Sequence, residues 1–421
     1  MTTILEEDVV IVGAGIAGLA TAVALKRLGI RALVLEKADA PRATGAAITL
    51  FPNAWLALDA LGVSHKLTSI YGRTKRRLVT NIRTGATRET SFVNTDGRIE
   101  SGPRSVHRRT LLEALADELP IDTIHFSAKV AAIETETFEG SSIAVIHLGD
   151  GTIIKAKILI GCDGIHSTVA RWLGLSAPVD SGRSAVRGLA MFPEGHGLNK
   201  EARQFVDAGL RAGFAPLNDK EIYWFLSCTS PLKENTSANP ELIQKELLEN
   251  YAEIMPPLYL DVVRHCDLST LTRAPLMFRY PWDITFGNLS KGNITVAGDA
   301  MHPMTPDLAQ GGCSALEDAV VLGRHIGNSL IKHKTLVSGG IVEAIDGYVK
   351  ERRWRITWLV AGSYLSGWVQ QGGSKWWMKF LREVVYYRLL FSRIVNTVRY
   401  DCGKLPRVTF PGELDNSSKI D

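Results

Sequence analysis

The chain begins its patterned part with Val9-Val10-Ile11-Val12, apolar at consecutive positions, which predicts a short strand buried on both faces over Asp8 to Val12. Three spaced glycines follow at once in Gly13-Ala14-Gly15-Ile16-Ala17-Gly18. Leu19 to Leu28 then has helical composition and stops at Gly29. Ile30 to Glu36 is a second apolar strand that closes on an acid. Further on, Gly45-Ala46-Ala47-Ile48 and Pro52-Asn53-Ala54 predict a turn and strand opening into a helix that ends near Gly62. Thr74 to Thr95 predicts a hairpin, Arg109 to Glu118 a helix, and 143–162 a hairpin with a buried strand. The stretch 184–230 is β-rich. A polar break over Lys233 to Asn239 leads to a helix running to about Met255, then a β-like stretch 274–285 and a buried strand Ile294 to Ala297.

This order predicts an α/β fold: a discontinuous Rossmann-like nucleotide-binding domain, an inserted mostly antiparallel sheet that roofs a pocket, and a C-terminal helical tail. The expected division gives 1–75, 100–182 and 286–365 to the nucleotide domain, 76–99 and 183–285 to the substrate domain, and 366–421 to the tail.

The strand–turn–helix–strand frame gives the first glycines a mechanism. Gly13 permits the tight turn, Gly15 lets main-chain N–H groups approach a pyrophosphate, and Gly18 seats the helix close to the strand. The phosphates then rest on the helix N-terminus. Glu36 stands where a ribose hydroxyl would donate. Asp163-Gly164 after Ile158 to Cys162, with Ser167 and Arg171 beyond, places an acid at the carboxyl end of a second buried strand. Taken alone, that dipeptide is more simply a turn. Gly298-Asp299 repeats the arrangement after Ile294 to Ala297, and His302, Pro303, Pro306 and Gln310-Gly311-Gly312 follow. A cofactor held at both ends by segments so far apart suggests FAD rather than a nicotinamide alone.

Composition narrows the picture in two respects. Five cysteines without a CxxC pair argue against a disulfide framework or a metal site. No signal or transit segment is expected, so the cytoplasm is the expected location. Net charge is +4, yet Lys350 to Arg407 alone carries +9, which leaves the rest acidic and gives no support to nucleic-acid binding. That basic stretch holds Trp354, Trp358, Trp368, Trp376, Trp377, Tyr386, Tyr387 and Phe391. Lys375 to Arg399 reads as a helix closing over the substrate domain, with weak contact to an anionic membrane surface as the alternative.

With these motifs in place, the chain resembles the single-component FAD-dependent monooxygenases of the aromatic hydroxylase type (group A), in particular the plant branch similar to salicylate hydroxylase and zeaxanthin epoxidase. The resemblance covers roughly residues 8–365. It implies that Gly13, Ala14, Gly15, Ala17 and Gly18 hold the pyrophosphate turn and that Glu36, flanked by Lys37 and Arg42, binds the adenosine ribose. It further implies that Val130 contacts adenine through its main chain and that Arg108 reaches the phosphate or ribityl region. Asp163 would serve the pyrophosphate, Asp299 the ribityl hydroxyls, Gly311 and Gly312 the flavin ring, and Ala47 the isoalloxazine edge. One departure stands out: the family usually has Gly-Gln-Gly where this chain has Ala309-Gln310-Gly311. That methyl is harmless at negative φ and costs on the order of a kcal/mol at positive φ.

The implied reaction uses NADPH or NADH as a transient co-substrate, with O2, to insert one oxygen atom into a small aromatic or electron-rich substrate through a flavin C4a-hydroperoxide. Epoxidation, oxidative rearrangement and a flavin oxidase or dehydrogenase on the same scaffold remain alternatives. Pro306 is expected over the reactive face. His302 is a candidate general base, with a histidine holding its own turn as the favoured alternative. Arg187, Phe214, Trp224 and Arg273 are candidate substrate contacts from the β-rich insert, with an ordinary sheet residue as the favoured alternative for each. Cys162 and Cys313 read as buried small hydrophobes.

Overall fold

The computed structural model describes residues 4–41, 46–93, 102–138, 140–229, 239–371 and 397–408. Arg42, Gly45 and nearly all of the tail helix expected over Lys375 to Arg399 lie outside these residues.

The chain opens β1 (Ile4–Val12), α1 (Ile16–Arg27), β2 (Ala32–Leu35), β3 (Ala47–Leu50), α2 (Pro52–Ala60) and α3 (Ser64–Thr68). The hairpin β4 (Arg76–Asn81) and β5 (Thr87–Ser91) precedes β6 (Arg104–His107) and α4 (Arg108–Ala116). Then come β7 (Ile124–His125), β8 (Val130–Phe138), β9 (Ser141–Leu148), β10 (Ile153–Gly161) and α5 (Thr168–Trp172). The insert contains β11 (Val179–Met191), β12 (Glu201–Asp207), β13 (Leu210–Pro216), β14 (Glu221–Cys228), α6 (Pro240–Asn250), α7 (Pro257–Arg264) and β15 (Cys266–Phe278). Last are α8 (Pro281–Phe286), β16 (Ser290–Lys291), β17 (Ile294–Val296), α9 (Gly311–His333) and α10 (Ser338–Gln371).

Two large sheets result. In the first, β17, β10, β1, β2 and β7 run parallel, and β16 pairs antiparallel with β17. β9 and β17 both bond to β10, at Ile153–Ala156 and Leu159–Gly161 respectively, and β8 pairs with β9. The second sheet has the order β15-β11-β14-β13-β12-β4-β5 and is antiparallel except where β12 meets β4. A two-stranded ribbon, β3 with β6, completes the set.

Each sheet has its own core. Val9 to Val12 and Leu33 to Leu35, apolar at every position, are buried on both faces, as a parallel sheet covered by helices requires. In the second sheet only alternate positions are core: Ile222, Trp224 and Leu226 of β14 pack with Tyr259, Leu260 and Val263 of α7 and with Ile243 and Leu247 of α6. Asn239 caps α6 by accepting from the Glu241 and Leu242 N–H groups, and Pro240 fills the first helical position, where no donor is needed.

Three expectations shift. The helix expected to run to Met255 ends at Asn250, and Pro256-Pro257 starts a separate α7. β15 begins at Cys266 rather than near 274, because Asp267 and Ser269 disguise its first residues as a loop. The β-like end of 274–285 is helical from Pro281 on, again with proline at the first position.

Candidate active site

The parallel sheet delivers its acids and glycines to one edge. β1 ends at Val12, and the Gly13 N–H donates to the Leu35 carbonyl at 2.7 Å. Gly13 has φ +103, and a Cβ there would run into the Cys162 carbonyl, so the turn admits glycine alone. The α1 N-terminus at Gly15 has no side-chain cap and no acid in its first turn. A Cβ built on Gly15 meets nothing within 4 Å, so the helix end opens on a cradle. Glu36 closes that cradle, accepting from the Ala14 N–H at 2.9 Å and the Ala38 N–H at 3.0 Å. Val130 lies in the same corner, since the Ala128 N–H donates to the Glu36 carbonyl at 2.9 Å. Lys37 is exposed beside it. Asp163 accepts from the Thr168 N–H at 2.6 Å through Oδ2, while its Oδ1 is buried with no hydrogen-bond partner.

The second glycine segment meets the first directly. Gly298 has φ +59, and a Cβ there would lie 2.7 Å from Ala17 Cβ, so α1 and the Asp299 turn touch. Asp299 is open to solvent, yet it is surrounded closely enough that burial raises its carboxyl above the ordinary range, with His302 and Arg108 opposing. A group both accessible and enclosed lies on the wall of a deep cleft. A Cβ on Gly311 would sit 3.9 Å from the Asp299 carboxylate, and Gly312 lies against Ile48 of β3, the strand that begins at Ala47. Arg108 opens α4 and reaches the same cleft electrostatically. Pro306 is exposed at the start of a single helical turn, Pro306–Leu308. Ala309, which follows, has φ +51 and ψ +38. The methyl therefore occupies a left-handed position, the costlier of the two cases.

His302 lies elsewhere than a general base must. It is fully buried, with Nε2 2.6 Å from Asp318 Oδ2, so no substrate can reach it and it serves the turn it belongs to. Asp318 also accepts from the Gly298 N–H at 2.9 Å and from Arg352 Nε at 2.7 Å. Burial alone would raise its carboxyl, but His302 and Arg352 outweigh that and hold it well below the usual range. Cys162 and Cys313 are buried beside these motifs with their thiols pushed up by burial, Cys313 to about 12.

Strand alternation sorts the residues of the insert. Phe214 and Trp224, both 2 % exposed or less, point into the second core with Tyr259. Arg273 on β15 is held by Glu246 of α6 at 2.9 Å. These three face away from the parallel sheet. Arg187, opposite Phe225 and next to Tyr223, is on the other face. That face also carries Leu189, packed into the first core, and Arg211. Burial keeps the Tyr223 phenol above its ordinary range, with Arg187 opposing.

Sequence reading missed the groups that join the two sheets here. Arg183 donates to both Asp307 carboxylate oxygens, at 3.0 and 2.7 Å, and Arg211 donates to Oδ1 and to the Asp307 carbonyl at 3.1 Å each. All three residues are buried. Burial would raise Asp307, but the two guanidinium groups lower it. Asp307 directly follows Pro306, so the loop is tied to the roof of the cleft. One signal was available: the apolar half of each alternating strand marks the core, which leaves Arg187, Arg211 and Tyr223 for the cleft.

The residues present suit FAD: an uncapped helix end over open space, an orphaned Asp163 oxygen, and an enclosed but accessible Asp299 at the far end. The family model described as an FAD binding domain matches residues 6–362. Monooxygenase 2 of Arabidopsis thaliana is 42% identical over 409 residues, covering 94% of this chain and 98% of that protein. Monooxygenase 1 of the same plant is 39% identical, covering 95% and 100%. The structure of Klebsiella pneumoniae HpxO complexed with FAD and uric acid superposes with a TM-score of 0.77 at 26% identity, over 95% of this chain and 98% of that one. The α/β fold, the glycine fingerprint and these relatives agree: the chain belongs to the group A FAD-binding monooxygenases, and it is an FAD-dependent enzyme of that family.

Proposed function

We propose that the protein uses NAD(P)H and O2 to insert one oxygen atom into a small, planar, electron-rich substrate, bound between the Pro306–Gly312 turn and the sheet face bearing Arg187, Arg211, Tyr223 and Phe225. The observation that carries this reading is the Arg183–Asp307–Arg211 cluster, which fixes that face over the turn. Uric acid in the HpxO complex supports a small planar ligand.

When bound, FAD supplies the electron transfer and the activation of O2. The protein does the rest. Gly13 to Gly18, Glu36 and Asp163 hold the dinucleotide end, and Arg108 and Asp299 the middle. Asp307, Arg183 and Arg211 together carry +1 in a buried space, a field that favours an anionic oxygen on the substrate. Tyr223, kept protonated at neutral pH, is a hydrogen-bond donor to such an oxygen, and Arg187 beside it adds charge. Leu189 and Phe225 exclude water from the same wall.

The test is NAD(P)H oxidation over a panel of phenols, aromatic acids, indoles and polyenes under 18O2. A substrate-dependent product carrying one labelled oxygen is expected. Turnover that yields only unlabelled product would defeat the monooxygenase reading.

A further inference from the structure

We propose that Asn53, Glu317, Arg355 and Tyr400 are positioning residues for the flavin ring, forming a relay through which the C-terminal segment 397–405 sets the Ala309–Gly312 turn. The inference rests on the flavin lying against Gly311 and Gly312. A turn containing a left-handed alanine needs its neighbours to define it, and Gln310, which links Ala309 to α9, is 1% exposed.

Gln310 Oε1 accepts from Asn53 Nδ2 at 2.9 Å, and the same nitrogen donates to Glu317 Oε1 at 2.6 Å. A carboxylate only accepts, so Asn53 must turn its NH2 to Glu317, and the second hydrogen of that group falls to Gln310. The arrangement has one solution. Asn53 Oδ1 and Gln310 Nε2 are buried without partners, so each amide is held through a single atom and follows any shift of Glu317.

Glu317 is held in turn by Arg352, 2.7 Å away, and by Arg355 Nε at 2.7 Å. The tail segment grips this pair. The Tyr400 ring lies 4.0 Å under the Arg355 guanidinium, Arg355 Nη2 donates to the Thr397 carbonyl at 2.9 Å, and the Asn53 N–H donates to the Val398 carbonyl at 3.0 Å. Leu405 anchors the segment further along α9, beside Gly323. Apolar side chains would fill this volume at lower desolvation cost, whereas buried ion pairs with directed hydrogen bonds specify one geometry. That geometry ends at the turn under the flavin.

The test compares Asn53→Leu, Tyr400→Leu, the double variant and Tyr400→Phe in the full chain. It reads the FAD dissociation constant of the apoprotein and the fine structure of the flavin band near 450 nm, with thermal melting alongside. Each leucine variant should weaken FAD by about tenfold and alter the band. The double should be no worse than Asn53→Leu, because both interrupt one path. Tyr400→Phe keeps the ring on Arg355 and gives up only the hydroxyl's bond to Glu351, so it should stay close to the parent in FAD affinity and spectrum. Tyr400→Leu with parental affinity and spectrum would overturn the relay, as would additive losses in the double. If Asn53→Leu does not fold, Tyr400→Leu against Tyr400→Phe decides. Asp299→Ala serves as the control: if it too keeps FAD, the assumed cofactor placement has failed rather than the relay.

Discussion

His302 and Asp318 share a 2.6 Å hydrogen bond in a space closed to solvent. The glycine turn carrying Asp299 lies just before His302 in the chain and is bonded to the same carboxylate through the Gly298 N–H. The geometry fits a histidine that holds the turn rather than one that acts on the substrate, and the two roles predict different outcomes on substitution. His302→Ala should cost about 3–5 kcal/mol of stability, because it leaves a buried carboxylate with one fewer partner. A catalytic base would behave otherwise: its loss would leave melting and FAD content unchanged while abolishing turnover. Thermal melting with FAD quantification separates the two.

Acid should loosen the molecule from these same sites. Asp307, Glu317 and Asp318 all have folded-state carboxyls below their ordinary range, so the folded chain binds protons less readily than the unfolded one. Their stabilisation is fully present above the unfolded value, roughly pH 4, and is lost as pH falls through the depressed folded values. Melting temperature should hold between pH 5 and 7 and drop below about pH 4. A flat profile down to pH 3 would contradict the ionised network.

The two faces of the inserted sheet should separate in mutagenesis. Trp224→Ala empties the second core and should cost about 3–5 kcal/mol with no specific effect on substrate. Tyr223→Phe should melt within about 1 kcal/mol of the parent and raise the substrate KM. If Tyr223→Phe leaves kinetics untouched, the cleft wall has been misassigned.

Ala309 offers a test of strain. Ala309→Gly removes a left-handed methyl worth about 1 kcal/mol but restores chain entropy of about 0.4–1 kcal/mol to the unfolded state. Urea unfolding should give a change between about zero and 0.6 kcal/mol in favour of glycine. Ala309→Val should destabilise clearly more, since a β-branched residue is least tolerated there.

Much of the fold was legible because its signals are local. Val9 to Val12, Gly13 to Gly18, Glu36 and Gly298-Asp299 are contiguous patterns, and each lies where the pattern put it. The site was legible only in part. Asp307 meets Arg183 and Arg211 across separations of 124 and 96 residues, which no window of sequence spans. Arg187 and Trp224 are both large residues on strands of one sheet, and only register assigns one to the cleft and the other to the core. The sign of φ at Ala309 depends on how Pro306 to Leu308 turn, which no residue type dictates.

The shared side of β10 has a consequence for how the chain comes to be folded. β9 bonds to its first half and β17 to its second, but β17 is drawn from Ile294–Val296, over 130 residues after β10 ends at Gly161. A nascent chain that has not reached Ser290 therefore carries a half-covered strand whose apolar second half, Ile158 to Gly161, has an open hydrogen-bonding edge. Its second sheet can already pair, since β4 through β15 have been made. The roof of the active site is thus free to assemble before its floor closes, and the long loop that must be spanned makes floor closure the slow, aggregation-exposed event in synthesis.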